Sequence, residues 1–425
     1  MFNQYLVKTA TYLLYLIPIT LTTGPFLPDL SLCLIVIIFL IVTIREKKFI
    51  YFNNVFFKIF SLFYLYVVFS SLLSNNIIFS LSNSLLYFRF GLFALAIWFL
   101  IKKDNDIIKL FAISLVFTII FVFFDSFYQF FNTYNIFGYG YDGPRTSLPL
   151  SDNRIVGGFI VRLLPLLIGL IFLLKANKNF KFYTIFAIYI ISYLSIYLSG
   201  ERTALVMVTL FFILSFLFLK NIRTIGLYIL LFLLTFLFIL SANYPSLVER
   251  NLDHTAHQLN LVSALENRSI YELRLFSDPH QTLYKTSLKM FLDKPLVGVG
   301  PKMFRVECSD SKYNLSDKNF SSCSTHPHNT YIQLLAETGI IGFLIVSVIY
   351  LIIIKNILNI YIFTKHNEKY SEYIDFQISL LLGFFILLFP LLPSLNFFNN
   401  WINILHYLPI GFYLYAIDKK SYNID

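Results

Sequence analysis

Acidic and basic side chains are scarce in this sequence, at 13% of its 425 residues, where a soluble domain carries about a quarter. That shortage excludes an ordinary solvated globular fold. The first apolar stretch, from about Tyr5 to Thr22, lacks a small-residue cleavage site, which excludes a removable signal peptide and marks a retained span. No internal repeat pairs the two halves of the chain. What the sequence has in abundance is apolar: 57% hydrophobic residues, with 49 Phe and 29 Tyr.

Long apolar runs recur, as in 107–131 and 222–240. Each is long enough to cross a ~30 Å hydrocarbon core at about 1.5 Å per residue. The expected fold is an all-α polytopic membrane protein with about twelve spans. They lie near residues 5–22, 28–44, 57–74, 84–101, 107–131, 155–174, 181–199, 202–219, 222–241, 333–354, 373–393 and 401–417. The chain thus divides into nine spans over 1–241, a large loop over 242–329 and three spans over 330–425.

Charge placement orients the spans. The loops with Arg45/Lys47/Lys48/Lys58, Lys102/Lys103/Lys109, Lys175/Lys178/Lys181, Lys220/Arg223 and Lys355/Lys365/Lys369 fall on one side. The intervening turns Thr23–Pro28 and Asn75–Ser82 hold no Lys or Arg. By the positive-inside rule both termini are cytoplasmic and the large loop faces outward. The formal charge of +10 is explained by these lysines, without a nucleic-acid partner.

Two outward segments are more than turns. Asn132–Arg154 is rich in Gly, Pro, Tyr and Asp, and its Ser151-Asp-Asn-Arg154 reads as a cap for the following span. Ser241–His328 holds five of the seven histidines. A loop this long needs structure of its own, and two or three helices are expected, with Gln281–Leu292 the clearest. In an oxidising compartment Cys308 and Cys323 would form a disulfide. Arginines mark the same outward half of the membrane: Arg89 and Arg162 about two turns inside their spans, and Arg202 at the start of one. Intramembrane charges are costly and usually face a cavity or a partner, although each arginine alone could snorkel to the interface. The planar guanidinium suits phosphate oxygens. Glu201, next to Arg202, is placed to cap that helix.

Ser324-Thr-His326-Pro327-His328-Asn329 leads into the tenth span. Pro327 steers His326 away from helix, and Asn329 is a good N-cap for a helix from Thr330. His328 at that N-terminus is expected to stay neutral near pH 7 and to serve as a base. The bland alternative is a structural loop histidine. A zinc site is disfavoured, because no Cys or carboxylate lies at ligand spacing.

At these residues the chain resembles the superfamily of O-antigen ligases and O-antigen polymerases. His328-Asn329, nine residues and then Gly339-x-x-Gly342 resembles the ligase histidine signature, with Phe343-Leu344 where Thr-Gly is usual. Leu288-Lys-Met-Phe-Leu-Asp-Lys-Pro295-Leu-Val-Gly298-Val-Gly300-Pro301 and Ser199-Gly-Glu-Arg202-Thr-Ala resemble two further family segments, and together the three cover roughly 150–345. The resemblance implies a GT-C-type membrane glycosyltransferase that uses no metal, cofactor or nucleotide sugar. Its donor would be a glycan on undecaprenyl diphosphate. Its acceptor would be lipid A core for a ligase or a lipid-linked repeat for a polymerase, and the histidine signature favours the ligase, with a role in lipopolysaccharide biosynthesis at the bacterial inner membrane. It implies His328 as base or acceptor-orienting group and Arg202 at the diphosphate. Arg89, Arg154, Arg162, His326 and Asn329 are read from their positions as further substrate contacts. A second loop arginine is also implied, for which Arg274 is the choice over Arg268. A transporter or lipid flippase is the rival class, since about twelve spans suit it equally; the gathering of candidate residues at one face weighs against it.

Overall fold

The structure is a computed structural model that describes residues 2–140, 145–266, 273–316, 319–366 and 372–422. Lys369, Arg268 and Tyr141–Pro144 of the sequence reading lie outside those residues. The described residues form helices and no β-strand. In chain order the first ten helices are α1 Phe2–Thr20, α2 Phe26–Arg45, α3 Val55–Leu72, α4 Ile77–Ser84, α5 Phe88–Lys103, α6 Asp106–Asn132, α7 Val156–Leu173, α8 Lys178–Leu198, α9 Arg202–Phe218 and α10 Arg223–Asn243. Five short or medium helices build the large loop: α11 Pro245–Val248, α12 His254–Gln258, α13 Leu261–Glu266, α14 Asp278–Asp293 and α15 Phe304–Glu307. Three long helices follow, α16 Thr330–His366, α17 Glu372–Leu387 and α18 Asn400–Tyr422.

Apolar composition and local caps explain these limits. The side chains of Asn54, Asn76 and Asn177 accept the N–H of Phe57, Phe79 and Phe180 at 2.8, 3.0 and 2.7 Å, so helix starts lose no orphan donor to lipid. Gly24, at φ 104°, and Pro25 separate α1 from α2. Among the described residues nine helices are long and apolar enough to cross a membrane, so this is a multi-pass membrane protein. The count is smaller than the expected twelve. α9 and α17, with 17 and 16 residues, lie at the lower edge of the roughly 17–25 residues that cross a hydrocarbon core, and α18 ends in a polar stretch. α7 is almost wholly buried and packs on α17, α8, α6 and α9. α3 and α10, by contrast, leave Leu62, Leu65, Leu231, Leu234 and Phe238 exposed on their outer faces, as a lipid solvent permits.

The two ends of the bundle differ chemically. At one, basic residues find carboxylates: Glu46 takes Lys48 at 2.6 Å and Lys103 at 3.0 Å, Lys102 meets Asp418 at 2.7 Å and Lys181 meets Glu372 at 2.5 Å. At the other lie the large loop and the N-termini of α7, α9 and α16.

A strap fixes the loop to that end. α16 is broken at Gly339, which adopts φ 64° and ψ −166°. The segment after α14 fills the break. Val299 and Gly300 donate N–H to the carbonyls of Ala336 and Glu337 at 2.9 Å each, and Ile340 donates to Pro295 at 2.8 Å. α3 clamps the strap from outside, with Ser70 Oγ on the Val297 carbonyl at 2.8 Å and Tyr66 Oη on the Leu296 carbonyl at 3.0 Å. Backbone groups released by the kink therefore stay satisfied, as an apolar surround requires. The buried Glu337 closes the arrangement by accepting the Phe304 N–H at 3.1 Å and Gln333 Nε2 at 2.9 Å.

The loop has its own small core, in which Leu283 and Met290 of α14 meet Val299, Met303, Phe304 and Tyr313. Cys308 and Cys323 are joined as a disulfide across 15 residues. Opening a loop of that length by Cys308→Ser is expected to lower stability by about 3 kcal/mol. Thermal unfolding in detergent would show it, and wild type in reductant should fall to the same transition as the variant.

Candidate active site

The histidine loop is held by residues 388–399, of which the sequence reading had placed 388–393 in the span 373–393; the helix ends at Leu387 instead. The Ser394 N–H donates to the His328 carbonyl at 2.8 Å, and Asn329 Nδ2 donates to the Pro390 carbonyl at 2.8 Å. Asn329 is the N-cap of α16: its Oδ1 accepts from Tyr331 and Ile332 N–H at 3.0 and 3.1 Å. The His326 and His328 rings lie 4.0 Å apart between centroids, tilted by 48°, yet they are used differently. His326 Nε2 faces the Ser394 carbonyl at 3.2 Å, and its Nδ1 faces Thr325 Oγ1 at 3.0 Å. A carbonyl only accepts, so Nε2 is the protonated nitrogen and both ring atoms are satisfied. His328 has one weak partner, Ser324 Oγ at 3.3 Å from Nε2. It also holds φ 59°, a left-handed conformation that costs an L-residue roughly 1–2 kcal/mol.

Electrostatics keep these imidazoles neutral. Burial, then His280, then Arg145 hold His328 down at about 4. Burial, the His328 ring and the charges of Arg305 and His280 bring His326 to about 3, against the opposing hydrogen bond to Ser394. Burial and the Arg202 charge lower His280. The expected neutral His328 is there, with burial and cationic neighbours as the cause where the helix dipole had been the sequence argument.

α9 and α7 bring the arginines. Glu201 does not cap α9 as expected. Its carboxylate instead caps α7, accepting the N–H of Gly157 at 2.6 Å and of Gly158 at 3.2 Å. Ser151–Arg154 supplies no such cap; α7 starts from Ile155 without a side-chain bond of its own. Gly157 permits this approach, since a Cβ there would lie 2.8 Å from the Ala204 Cβ. With Glu201 turned to α7, Arg202 projects among like charges: Arg145 and Arg250 both act on it. Its Nη1 is buried with no hydrogen-bond partner among the described residues. Arg162 donates Nη1 to the Gly158 carbonyl at 2.6 Å, and its charge reaches Glu201. Arg145, Arg162 and Arg202 make no ion pair with a described residue.

The structure thus gathers Arg162, Arg202 and His328 and adds Arg145, Arg250 and His280, which sequence reading did not select. Arg89 and Arg274 stand apart from that group. Arg89 is bidentate to Asp29 of α2, with Nη2 at 2.9 and 3.1 Å from the two carboxylate oxygens. Arg274 pairs with Asp278 at the start of α14. Arg154 lies two residues ahead of α7. The signal available for Arg145 was its place in the glycine-rich outward segment, and for His280 its place near where the family resemblance expects a second loop arginine; Arg250, between α11 and α12, had none.

One end of this multi-helix membrane protein thus brings a neutral histidine together with Arg145, Arg162, Arg202 and Arg250. Residues 185–347 match the family model for O-antigen ligase. That domain, which takes in most of α8, α9, α10, the large loop and the first half of α16, supports the O-antigen ligase superfamily, and with it a membrane enzyme acting on lipid-linked glycans. No curated protein matches the chain.

Proposed function

We propose that the protein is a glycosyltransferase that moves a glycan from undecaprenyl diphosphate to a lipid A core acceptor. The reaction would take place at the outer face of the bacterial inner membrane, with both termini cytoplasmic. The observation that carries this reading is a neutral, weakly engaged His328 whose neighbour Arg145 also acts on Arg202, a guanidinium with a buried Nη1 that has no hydrogen-bond partner among the described residues. Four guanidiniums around the single carboxylate of Glu201, which is spent on the Gly157 and Gly158 N–H groups, would be stabilised by an incoming anion, and a diphosphate supplies several oxygens at their fork geometry.

In the proposed reaction an acceptor hydroxyl attacks the anomeric carbon as the diphosphate departs through an oxocarbenium-like transition state. His328 takes the hydroxyl proton. Negative charge grows on the leaving oxygen, so fixed arginines stabilise the transition state more than the ground state. A single displacement of this kind inverts the anomeric centre.

The test is transfer by purified protein, in EDTA, from a glycan on undecaprenyl diphosphate to lipid A core and to lipid-linked repeats offered separately. Product on lipid A core, reduced about 100-fold or more by Arg202→Ala, is the expected result. Product that only lengthens the lipid-linked glycan would make the protein a polymerase. Movement of an unaltered glycolipid across the bilayer, with its glycosidic linkage intact, would mean a transporter.

A further inference from the structure

Three imidazoles meet at this site, and the reaction above uses one. The third, His280, is delivered by α14, near whose start it lies. Its ring centroid is 5.7 Å from that of His328, edge to face, and it stacks on Tyr284 one turn along the helix at 6.1 Å. Ser277 Oγ lies 2.8 Å from its Nδ1. That hydroxyl is buried and has no other side-chain partner among the described residues, so its proton goes to Nδ1. The hydrogen of a neutral ring then sits on Nε2. Nε2 has no hydrogen-bond partner among the described residues, and the Tyr284 hydroxyl is a buried orphan as well. Of the three histidines, His280 is the one that the Arg202 charge reaches.

We propose that His280 is a leaving-group residue, its Nε2–H donating a hydrogen bond to an oxygen of the departing diphosphate while His328 takes the acceptor proton. This rests on the glycosyl-transfer reading. The anomeric C–O bond to phosphate breaks and its electron pair stays on the phosphate oxygen. The acceptor oxygen forms the new C–O bond and loses its proton to His328. His280 gives up no proton, so the step balances without a further reactant.

The experiment uses the full chain in detergent with His280→Phe, which keeps a ring to stack on Tyr284, and His280→Gln, which restores an N–H donor. Transfer kinetics and equilibrium binding of farnesyl diphosphate are both measured. His280→Phe should lower kcat about 100-fold, as loss of one oxyanion donor does, and weaken farnesyl diphosphate binding. His280→Gln should recover most of both, and His328→Ala should bind farnesyl diphosphate like wild type. A Phe variant with wild-type kcat, or a Gln variant no better than Phe, would overturn the proposal. If wild type transfers to no acceptor while His280→Phe still loses farnesyl diphosphate binding, the glycosyl-transfer reading fails and the phosphate contact stands.

Discussion

Replacing His328 with Ala is expected to lower the transfer rate by 10²–10⁴-fold, the usual contribution of a positioned general base, and to leave donor binding nearly unchanged. The pH profile gives a sharper result. A base works in its neutral form, and burial with His280 and Arg145 holds His328 at about 4, below the ~6.5 of a free imidazole. kcat/KM, which reports the free enzyme, should therefore stay level as pH falls through 6.5 and decline only as it approaches 4. An acid limb centred near 6.5 would remove His328 as a buried base. The same depression acts on folding. Between 6.5 and about 4 the unfolded chain binds protons that folded His326 and His328 refuse, so stability should decrease with falling pH across that window.

Alanine at Gly298 or Gly339 is expected to be the most damaging single change to the fold. A Cβ on Gly298 would lie 2.4 Å from the Glu337 carbonyl carbon, and one on Gly339 would lie 2.4 Å from the carbonyl carbon and oxygen of Leu296. Both obstacles are backbone and neither can rotate away. Both glycines also hold positive φ, 70° and 64°, which costs an L-residue roughly 1–2 kcal/mol before any clash. With overpacking at about 1–3 kcal/mol, each variant should lose about 3 kcal/mol or more. Gel filtration of detergent-solubilised protein and its unfolding temperature would report the loss. Gly138→Ala is the control: its φ is 86°, but nothing lies within 4 Å of the added carbon, so it should pay the conformational cost alone. Equal behaviour of the three variants would mean that the strap is not tightly seated.

Much of the architecture could be read from residue order. Runs of apolar residues with basic loops between them locate α1 to α3 and α5 to α10, while α4 lies in the stretch read as a turn, Asn75–Ser82; the Asn329 cap marks the start of α16. The span count was less legible, because hydropathy does not show where α9 and α17 stop. The strap was hidden for a different reason. Gly298, Gly300 and Gly339 look like separate turn residues in sequence, and only the close seating of the strap on α16, and of Gly300 against Ser74 and Ser80, shows why glycine stands at all three positive-φ positions. Within the site, His328 and Arg202 stood out because a proline, a cap and an intramembrane charge flank them. Glu201 was misassigned because a carboxylate at one helix start was read as serving that helix, when the neighbouring α7 had two free N–H groups within reach. His280 was passed over in favour of Arg274 because a single histidine early in a polar helix has no spacing partner; its partner is 48 residues away in His328.

The break at Gly339 also sets what the site can feel of its surroundings. It divides α16 into a short outer piece, Thr330–Thr338, and a long lipid-facing rod. The outer piece is bonded to the strap, to α3 and to the Leu388–Asn399 segment. When bilayer thickness changes, a continuous span answers hydrophobic mismatch by tilting, and groups at its tip swing with it. Here the rod can tilt about the glycine while the piece behind His328 stays anchored to the loop. On the proposed mechanism, His328 would thereby be insulated from changes in membrane thickness.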